Sequence, residues 1–188
     1  MKVLDLGCGL GTPNAARFGI SDSDDIVGVD LDLQRLVGGG SRKRLAARGE
    51  ELPFAENSFD VVISAVALPY MDIPRSLREI ARVLKPGGRF VGTLHPPSFT
   101  LAEFKQCLKV VPAIFRLYVF LDGILFHITG RTVRFPFNNR VESFQTRRGT
   151  TIALKRAGMT EISFSGNKGY LGVTAYREGA LDTTEKAA

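Results

Sequence analysis

The first eleven residues hold the feature that most constrains the fold, an apolar strand that runs directly into a glycine-rich turn. Residues 3–6 read V-L-D-L, and glycine then stands at every second position, at Gly7, Gly9 and Gly11. The apolar run predicts a buried parallel strand, and glycine lets the backbone turn tightly and approach a ligand closely. Pro13 suits the first turn of a following helix. This order of elements predicts a ligand site beyond the carboxyl end of the strand.

The spacing of the glycines distinguishes two kinds of ligand. The dinucleotide pattern G-x-G-x-x-G needs glycine or alanine at position 12, where this chain has Thr12. The pattern present, D-x-G-x-G-x-G, resembles the first motif of class I S-adenosylmethionine-dependent methyltransferases. A glycine-rich turn without a ligand is the alternative, so the interpretation depends on further segments of the chain.

A second short apolar run, residues 26–30, ends in Asp30 roughly 20 residues after the glycine turn, at the ribose-binding position of such sheets. A carboxylate there accepts hydrogen bonds from ribose hydroxyls, and its charge strengthens them. The resemblance implies that Asp30 holds the ribose and that Leu31 packs on the adenine. A surface turn or helix cap is the alternative for Asp30, because Asp32 is equally able to cap the next helix.

The segment Glu50-Glu51-Leu52-Pro53-Phe54 resembles the second family motif, G-D-A-x-x-L-P-F. On this alignment Arg48 stands where the family has an aspartate that reads the adenine amino group. A cation cannot accept that hydrogen bond. Either Glu50 or Glu51 therefore replaces the aspartate, or backbone and packing alone hold the adenine.

Two further motifs follow in the family order. Residues 58–64 are β-branched, predict the fourth strand and resemble the family's N-S-F-D-V-V segment, in which Asp60 anchors the strand and the residues after Ser64 line the methionine portion. Asp72 is a candidate cap for a helix that ends at residues 85–88, K-P-G-G. Residues 89–95 are then the fifth strand.

The pattern as a whole predicts an α/β fold, a doubly wound, Rossmann-like and mostly parallel sheet. Residues 38–41, G-G-G-S, interrupt the region of the third strand, which we expect to be short or lost. A helix within 144–157 and strands at 160–164 and 170–176 predict an antiparallel last strand. We expect a single domain over 1–178 and a disordered tail over 179–188.

Residues 99–140 are an expected helical cap insertion. Eight of the 17 aromatic residues of the chain lie between Phe99 and Phe137. A membrane span is disfavoured, because Arg116 and Asp122 would each cost about 2.5 to 3.5 kcal/mol at the bilayer centre. The aromatics either form core, or form a lid over an apolar substrate or a peripheral contact with a membrane surface.

Composition limits the remaining choices. The net charge of +6 includes an acid-free stretch over 33–49, which we interpret as a solvated face because no nucleic-acid-binding motif accompanies it. Cys8 and Cys107 have no metal-ligand spacing, and together with the absence of a leader after Met1 they predict a cytoplasmic protein without a metal. In the family a helical segment precedes the first strand, and we expect it to be missing here.

The resemblance implies S-adenosylmethionine as cofactor and a small, apolar or aromatic acceptor. Methyl transfer needs mainly placement of the two reactants; for an acceptor that must lose a proton, His95 is the candidate base and Tyr70 the candidate orienting group. The alternative for both is a packing role. A catalytically impaired member that binds a partner or a membrane surface is the rival hypothesis, and an NAD-linked reductase is disfavoured by Thr12. The implied cofactor contacts are Asp5, Gly7, Gly9, Gly11, Asp30, Leu31, Glu50, Glu51 and Ser64.

Overall fold

A computed structural model describes residues 1–9, 18–21, 23–32, 43–106, 113–167 and 170–179. Three predictions lie outside these residues: the cofactor contact at Gly11, the helix start at Pro13, and nearly all of the tail after residue 178. The predicted domain bounds and the predicted cytoplasmic location stay predictions.

Seven strands form one sheet in the order β3-β2-β1-β4-β5-β7-β6. Strands β1 to β5 run parallel to one another, while β7 is antiparallel to both β5 and β6. The predicted fold class is therefore confirmed, including the antiparallel last strand. The strands are β1 (Lys2–Leu6), β2 (Asp25–Asp30), β3 (Lys43–Ala46), β4 (Phe59–Ala65), β5 (Leu84–Leu94), β6 (Met159–Asn167) and β7 (Tyr170–Arg177).

Strand β1 lies near the centre of the sheet because its side chains are apolar on both faces. Val3 packs with Ile26 and Val61 on one face, and Leu4 and Leu6 join the larger core on the other. A parallel strand covered on both faces is expected to be a continuous apolar run. The central position of β1 places the glycine turn beside the ends of both β2 and β4.

The third strand is short, as expected. Strand β3 has four residues, Lys43–Ala46, with no fully buried position, and it forms the edge of the sheet beside β2. Strand β5 begins earlier than predicted, at Leu84, and His95 lies just beyond its end. The pairing with β4 shifts so that Phe59 pairs with Leu84 and Val61 with Arg89, because the residues between Leu84 and Arg89 bulge out of register.

Four helices are described: α1 (Ile73–Val83), α2 (Pro97–Gln106), α3 (Ala113–Thr129) and α4 (Arg147–Arg156). The Asp72 carboxylate caps α1 as predicted, accepting from the Arg75 backbone N–H at 3.2 Å. The apolar residues of α1, including Leu77 and Ile80, pack against the sheet. Within the described ranges, no helix has the length and the apolarity needed to cross a bilayer.

The cap, defined here as residues 97–146, contains α2 and α3 and returns to the sheet before α4. Helix α3 packs closely on this return: a Cβ at Gly123 would lie 2.3 Å from the Phe144 ring. Phe115 and Phe135 form a small core of the cap, and Phe126 joins the main core. Other aromatics do not pack in this way, since Phe120 and Phe137 are exposed. Core packing therefore accounts for only part of the aromatic content.

Asp122 is a buried carboxyl group in the inner face of α3. Its Oδ1 accepts from the Val133 backbone N–H at 2.7 Å, and its Oδ2 has no hydrogen-bond partner among the described residues. Burial raises the pKa of Asp122 to about 7, the nearby Asp72 charge adds to this, and the Val133 hydrogen bond opposes it. The folded chain therefore favours the protonated acid.

We expect Asp122→Asn to change the pH dependence of stability. The pKa of Asp122 is raised in the folded state, so the unfolded chain ionises first as pH rises from about 4 to 7. The wild type then loses free energy of unfolding, by up to about 1.4 kcal/mol per pH unit, and the variant lacks this loss. Urea denaturation between pH 4 and 8 measures the difference.

Asp60→Asn is the control of opposite sign. Its carboxylate accepts from the Lys2 backbone N–H and the Lys85 ammonium, which lower its pKa. Removing it should cost stability at neutral pH and less in acid. An Asp122→Asn curve parallel to that of the wild type would contradict the raised pKa.

Candidate functional site

The turn after β1 is held to the end of β2 by three hydrogen bonds. The backbone N–H groups of Gly7 and Cys8 donate to the Val29 carbonyl at 2.7 and 3.1 Å. The Gly9 N–H donates to Oδ2 of Asp30 at 2.8 Å. The two sequence motifs are thus in direct contact at the carboxyl edge of the sheet, where ligands bind in open α/β sheets.

Glycine is required at position 7. Its φ of +76° is a conformation that residues with a Cβ rarely adopt, and a Cβ there would lie 2.2 Å from the Ala67 Cβ. Ala67 follows β4, so this absence of a side chain lets the ends of β1 and β4 come close together. Cys8 is buried, and burial raises the pKa of its thiol to about 11. Cys8 therefore packs as a small apolar side chain, and its neutral thiol is a poor nucleophile.

A cleft of about 600 Å³ opens at this edge, between the ends of β1, β2 and β4. This volume lies in the usual range for small-molecule sites. Its apolar walls include Leu6, Val29, Leu31, Val66 and Met71. Its polar groups are Asp30, Arg48, Glu50, Tyr70 and Arg140.

Asp30 presents a carboxylate to this cleft at the end of β2. Besides the Gly9 bond, its Oδ1 accepts from the Asp32 backbone N–H at 2.9 Å. Each carboxylate oxygen has a second lone pair, so two backbone contacts orient the group and leave acceptor capacity for hydroxyls. Leu31, beside it, is 65% exposed and lines the cleft. An exposed leucine at a cleft wall offers a flat apolar surface to a ring.

Residues 48–51, where the resembled motif has an adenine-reading aspartate, bring opposite charges into the cleft. Arg48 and Glu50 both line it, with the Arg48 Nε 3.8 Å from a Glu50 carboxylate oxygen. The other Glu50 oxygen accepts from the Asp72 backbone N–H at 3.1 Å, which fixes the side chain. Glu51 is exposed and is not among the lining residues. Of the two glutamates, only Glu50 lies where it can act as an acceptor for a bound ligand.

Besides Glu51, three further predicted contact residues do not line the cleft. Asp5 and Ser64 are buried within β1 and β4, and the Ser64 hydroxyl has no hydrogen-bond partner among the described residues. Gly9 does not line the cleft either, and its backbone N–H donates to the Asp30 carboxylate. Asp5 and Ser64 therefore lie within the sheet beneath the cleft, and Gly9 orients Asp30 from the turn.

Tyr70 and His95 lie side by side, but only Tyr70 reaches the cleft. Tyr70 is 48% exposed, and its ring meets the His95 ring edge-on at 5.9 Å. His95 is buried, stacks on Phe99 at 4.4 Å, and its Nε2 has no hydrogen-bond partner among the described residues. Burial lowers the pKa of His95, so the imidazole is neutral at physiological pH.

Sequence reasoning did not predict that the cap contributes to the cleft wall. Arg140 enters from the cap, with its guanidinium 5.1 Å from the Phe115 ring centroid and 3.2 Å from a Glu142 oxygen. The basic character of residues 131–140 was a weak signal for it. Val66 is among the residues after Ser64 that were expected at the site, but its φ of +63° is unusual for a β-branched residue. Such strain clusters at functional sites, and no local sequence signal predicts it.

In the described part of the chain, no three histidine, cysteine or acidic side chains lie close enough together to hold a metal ion.

Comparisons with known proteins agree with this arrangement. Residues 4–92 match the family described as a methyltransferase domain. The chain is 35% identical over 124 residues to a demethylmenaquinone methyltransferase of Corynebacterium kroppenstedtii, an alignment that covers 62% of this chain and 53% of that protein. It is 33% identical over 118 residues to a malonyl-[acyl-carrier protein] O-methyltransferase of Herminiimonas arsenicoxydans, covering 58% and 45%. The chain thus spans about half the length of the curated relatives it matches.

A solved structure shares the fold over nearly the whole chain. The crystal structure of a SAM-dependent methyltransferase from Methanosarcina mazei superposes with a TM-score of 0.61 at 19% identity, covering 95% of this chain and 93% of that one. This likeness extends beyond the matched domain and includes the last strands of the sheet.

Val66→Gly tests whether the wall of the cleft is strained. The left-handed conformation costs a residue with a Cβ about 1 to 2 kcal/mol, and glycine avoids this cost while losing about 0.5 to 1 kcal/mol of backbone entropy. We expect the free energy of unfolding to change by less than about 1 kcal/mol. Val91→Gly, at a half-buried strand position, should lose about 2 kcal/mol. Equal losses in urea denaturation would show that Val66 is not strained.

Proposed function

We propose that this chain, whose residues 4–92 match a methyltransferase domain, is an S-adenosylmethionine-dependent methyltransferase that transfers a methyl group to a small acceptor that is apolar or aromatic. The observation that carries the proposal is the joined pair of motifs at the carboxyl edge of the sheet. There the Asp30 carboxylate, bonded to the Gly9 N–H, faces a cleft of about 600 Å³.

The residues of the cleft fit the donor. The glycine turn lets the ends of β1 and β4 meet at one wall of the cleft, since Gly7 carries no Cβ and Ala67 packs in that place. The Asp30 carboxylate is suited to ribose hydroxyls, Leu31 to the face of adenine, and Glu50 to an amino group. Arg48 and Arg140 supply cations at the rim of the same cleft, which suits a carboxylate. When bound, S-adenosylmethionine supplies an electrophilic methyl group on a sulfonium.

The contribution of the protein to the chemistry is placement. Rigid walls after β1 and β4 hold two reactants in line, and this can supply most of the acceleration of a displacement. Tyr70 lies at the cleft wall, where its phenol can orient an acceptor. His95 lies behind Tyr70 and is held neutral by burial, so its role in our proposal is to position Tyr70 or to receive a proton from it. An acceptor that is already nucleophilic needs neither group.

The character of the acceptor is inferred from the wall and from the relatives. Tyr70, Met71 and Val66 give the cleft an apolar side, and one relative is named for a demethylmenaquinone. Another is named for a malonyl-[acyl-carrier protein], so the relatives do not share one acceptor. We therefore propose the class of acceptor and leave its identity to a substrate screen.

Calorimetry with S-adenosylhomocysteine tests the proposal. We expect binding, and we expect Asp30→Asn to weaken it by about 10- to 100-fold, because hydrogen bonds to a charged acceptor contribute about 1.5 to 3 kcal/mol. Asp25→Asn is the matched control, since Asp25 starts the same strand at the opposite edge and pairs only loosely with Lys43 at 3.8 Å. A folded sample that does not bind, or equal effects of the two variants, would refute the proposal.

The adenine site has its own test. If Glu50 replaces the family aspartate, Glu50→Gln should weaken binding of S-adenosylhomocysteine about tenfold, because one charged acceptor is lost while the Asp72 contact can persist. Glu51→Gln should leave the affinity unchanged, since Glu51 does not line the cleft. The same calorimetry measures both. Equal affinities for Glu50→Gln and the wild type would mean that backbone and packing hold the adenine.

One observation favours a second candidate role. Arg48 stands at the place of a cofactor-reading aspartate, and the outer face of α3 is apolar and exposed. A catalytically impaired family member that binds a partner or lies on a membrane surface would have these features. Flotation with liposomes, combined with no affinity for S-adenosylhomocysteine, would favour this role over methyl transfer.

A further inference from the structure

Helix α3 exposes an uncharged face along its whole length. Of its seventeen residues, all described, the exposed ones are Ala113, Ile114, Leu117, Phe120, Leu121, Ile124, His127 and Ile128. None is a lysine, arginine, aspartate or glutamate. The five large aliphatic ones, which we call the α3 seam, are between 38% and 57% exposed: Ile114, Leu117, Leu121, Ile124 and Ile128.

The seam is not needed for the packing of the cap. The opposite side of α3 already supplies Phe115, Val119 and Phe126 to the interior. A helix that is apolar on all sides is normally buried on all sides, and an exposed apolar patch of this extent marks an interaction site. The described residues of the chain thus leave one side of α3 uncovered.

The spacing of the seam identifies its partner. The intervals from Ile114 to Ile128 are 3, 4, 3 and 4 residues, the repeat that lets one helix pack its side chains into the spaces of another. The pattern is also nearly symmetric about Leu121. We propose that α3 docks antiparallel on α3 of a second copy of this chain, with a two-fold axis at Leu121 and Ile114 opposite Ile128 of the partner subunit. Such a face is self-complementary, as a two-fold interface must be.

Area and charge agree with a protein partner. Two such faces, with Phe120, bury on the order of 1,000 Å² in total, the lower range of specific interfaces. The centre of an interface is depleted of charge, as the seam is. A helix that lies on a membrane carries lysine and arginine along the border of its apolar face. The only lysine or arginine of α3 is Arg116, which is half-buried and already interacts with other residues.

This proposal goes beyond methyl transfer and does not rest on it. No seam residue lines the cleft, so the seam and the cleft are separate surfaces of the chain. A dimer can form whether or not the cofactor binds.

The mass in solution is the first test. The full chain should have twice its monomer mass by light scattering at micromolar concentration. Leu121→Glu should weaken the dimer at least about 100-fold, because the two-fold axis places two like charges together. Leu121 is 54% exposed in the single chain, so this variant should keep the wild-type circular dichroism. Phe137→Glu, at an exposed aromatic outside the seam, should stay dimeric.

Cross-linking tests the antiparallel axis. In a Cys107→Ser background, Leu121→Cys should form a disulfide between two copies, because residues at the axis come within the reach of such a bond. Ile114→Cys alone should not, whereas Ile114→Cys combined with Ile128→Cys should. Cross-linking by Ile114→Cys alone would indicate parallel helices and overturn the proposed geometry.

A monomeric wild type, or a dimer that Leu121→Glu does not weaken, would overturn the proposal. Flotation of a monomeric wild type with anionic liposomes, lost in Leu121→Glu, would overturn it in favour of a membrane surface.

Discussion

The hydrogen bond from the Gly9 N–H to the Asp30 carboxylate is the contact on which the site depends. It joins the turn after β1 to the end of β2, which are 21 residues apart in the chain. Asp30 is oriented by this bond and by the Asp32 N–H, so a rigid carboxylate stands at the edge of the sheet. The third side of the cleft comes from β4, which approaches because Gly7 has no side chain. One backbone conformation thus determines the distance between the three strand ends.

The sequence predicts this part of the molecule well because its signals are local. An apolar run that is buried on both faces can only be a central strand, and the acid at the end of the next run then lies beside the glycine turn. Asp72 caps α1 as its position before Pro74 indicates. The expected weakness of the third strand is also local, since residues 43–46 offer no apolar face. In each case a few neighbouring residues determine the outcome.

The rest depends on contacts between segments far apart in the chain. Nothing near Val66 predicts its positive φ, because the conformation is imposed where β4 ends against the glycine turn. Arg140 reaches the cleft only because the cap folds back over the sheet edge. The sequence alone could not show which of the adjacent Glu50 and Glu51 faces the cleft. In the structure the Asp72 backbone N–H holds the Glu50 side chain there. In the sequence Asp122 was a charge that disfavours a membrane span, and nothing near it indicated that it is buried in the fold with its pKa raised to about 7.

Gln145 gives the return of the cap a double attachment. Its backbone N–H donates to the His95 carbonyl at 2.7 Å, and its side-chain oxygen accepts from the His95 N–H at 2.8 Å. The end of β5 and the exit of the cap therefore move as one piece. The His95 ring in turn abuts Tyr70, so a chain of contacts connects the cap with the phenol at the cleft wall. A substitution at Gln145, distant in sequence from Tyr70, would therefore be felt at the cleft through His95.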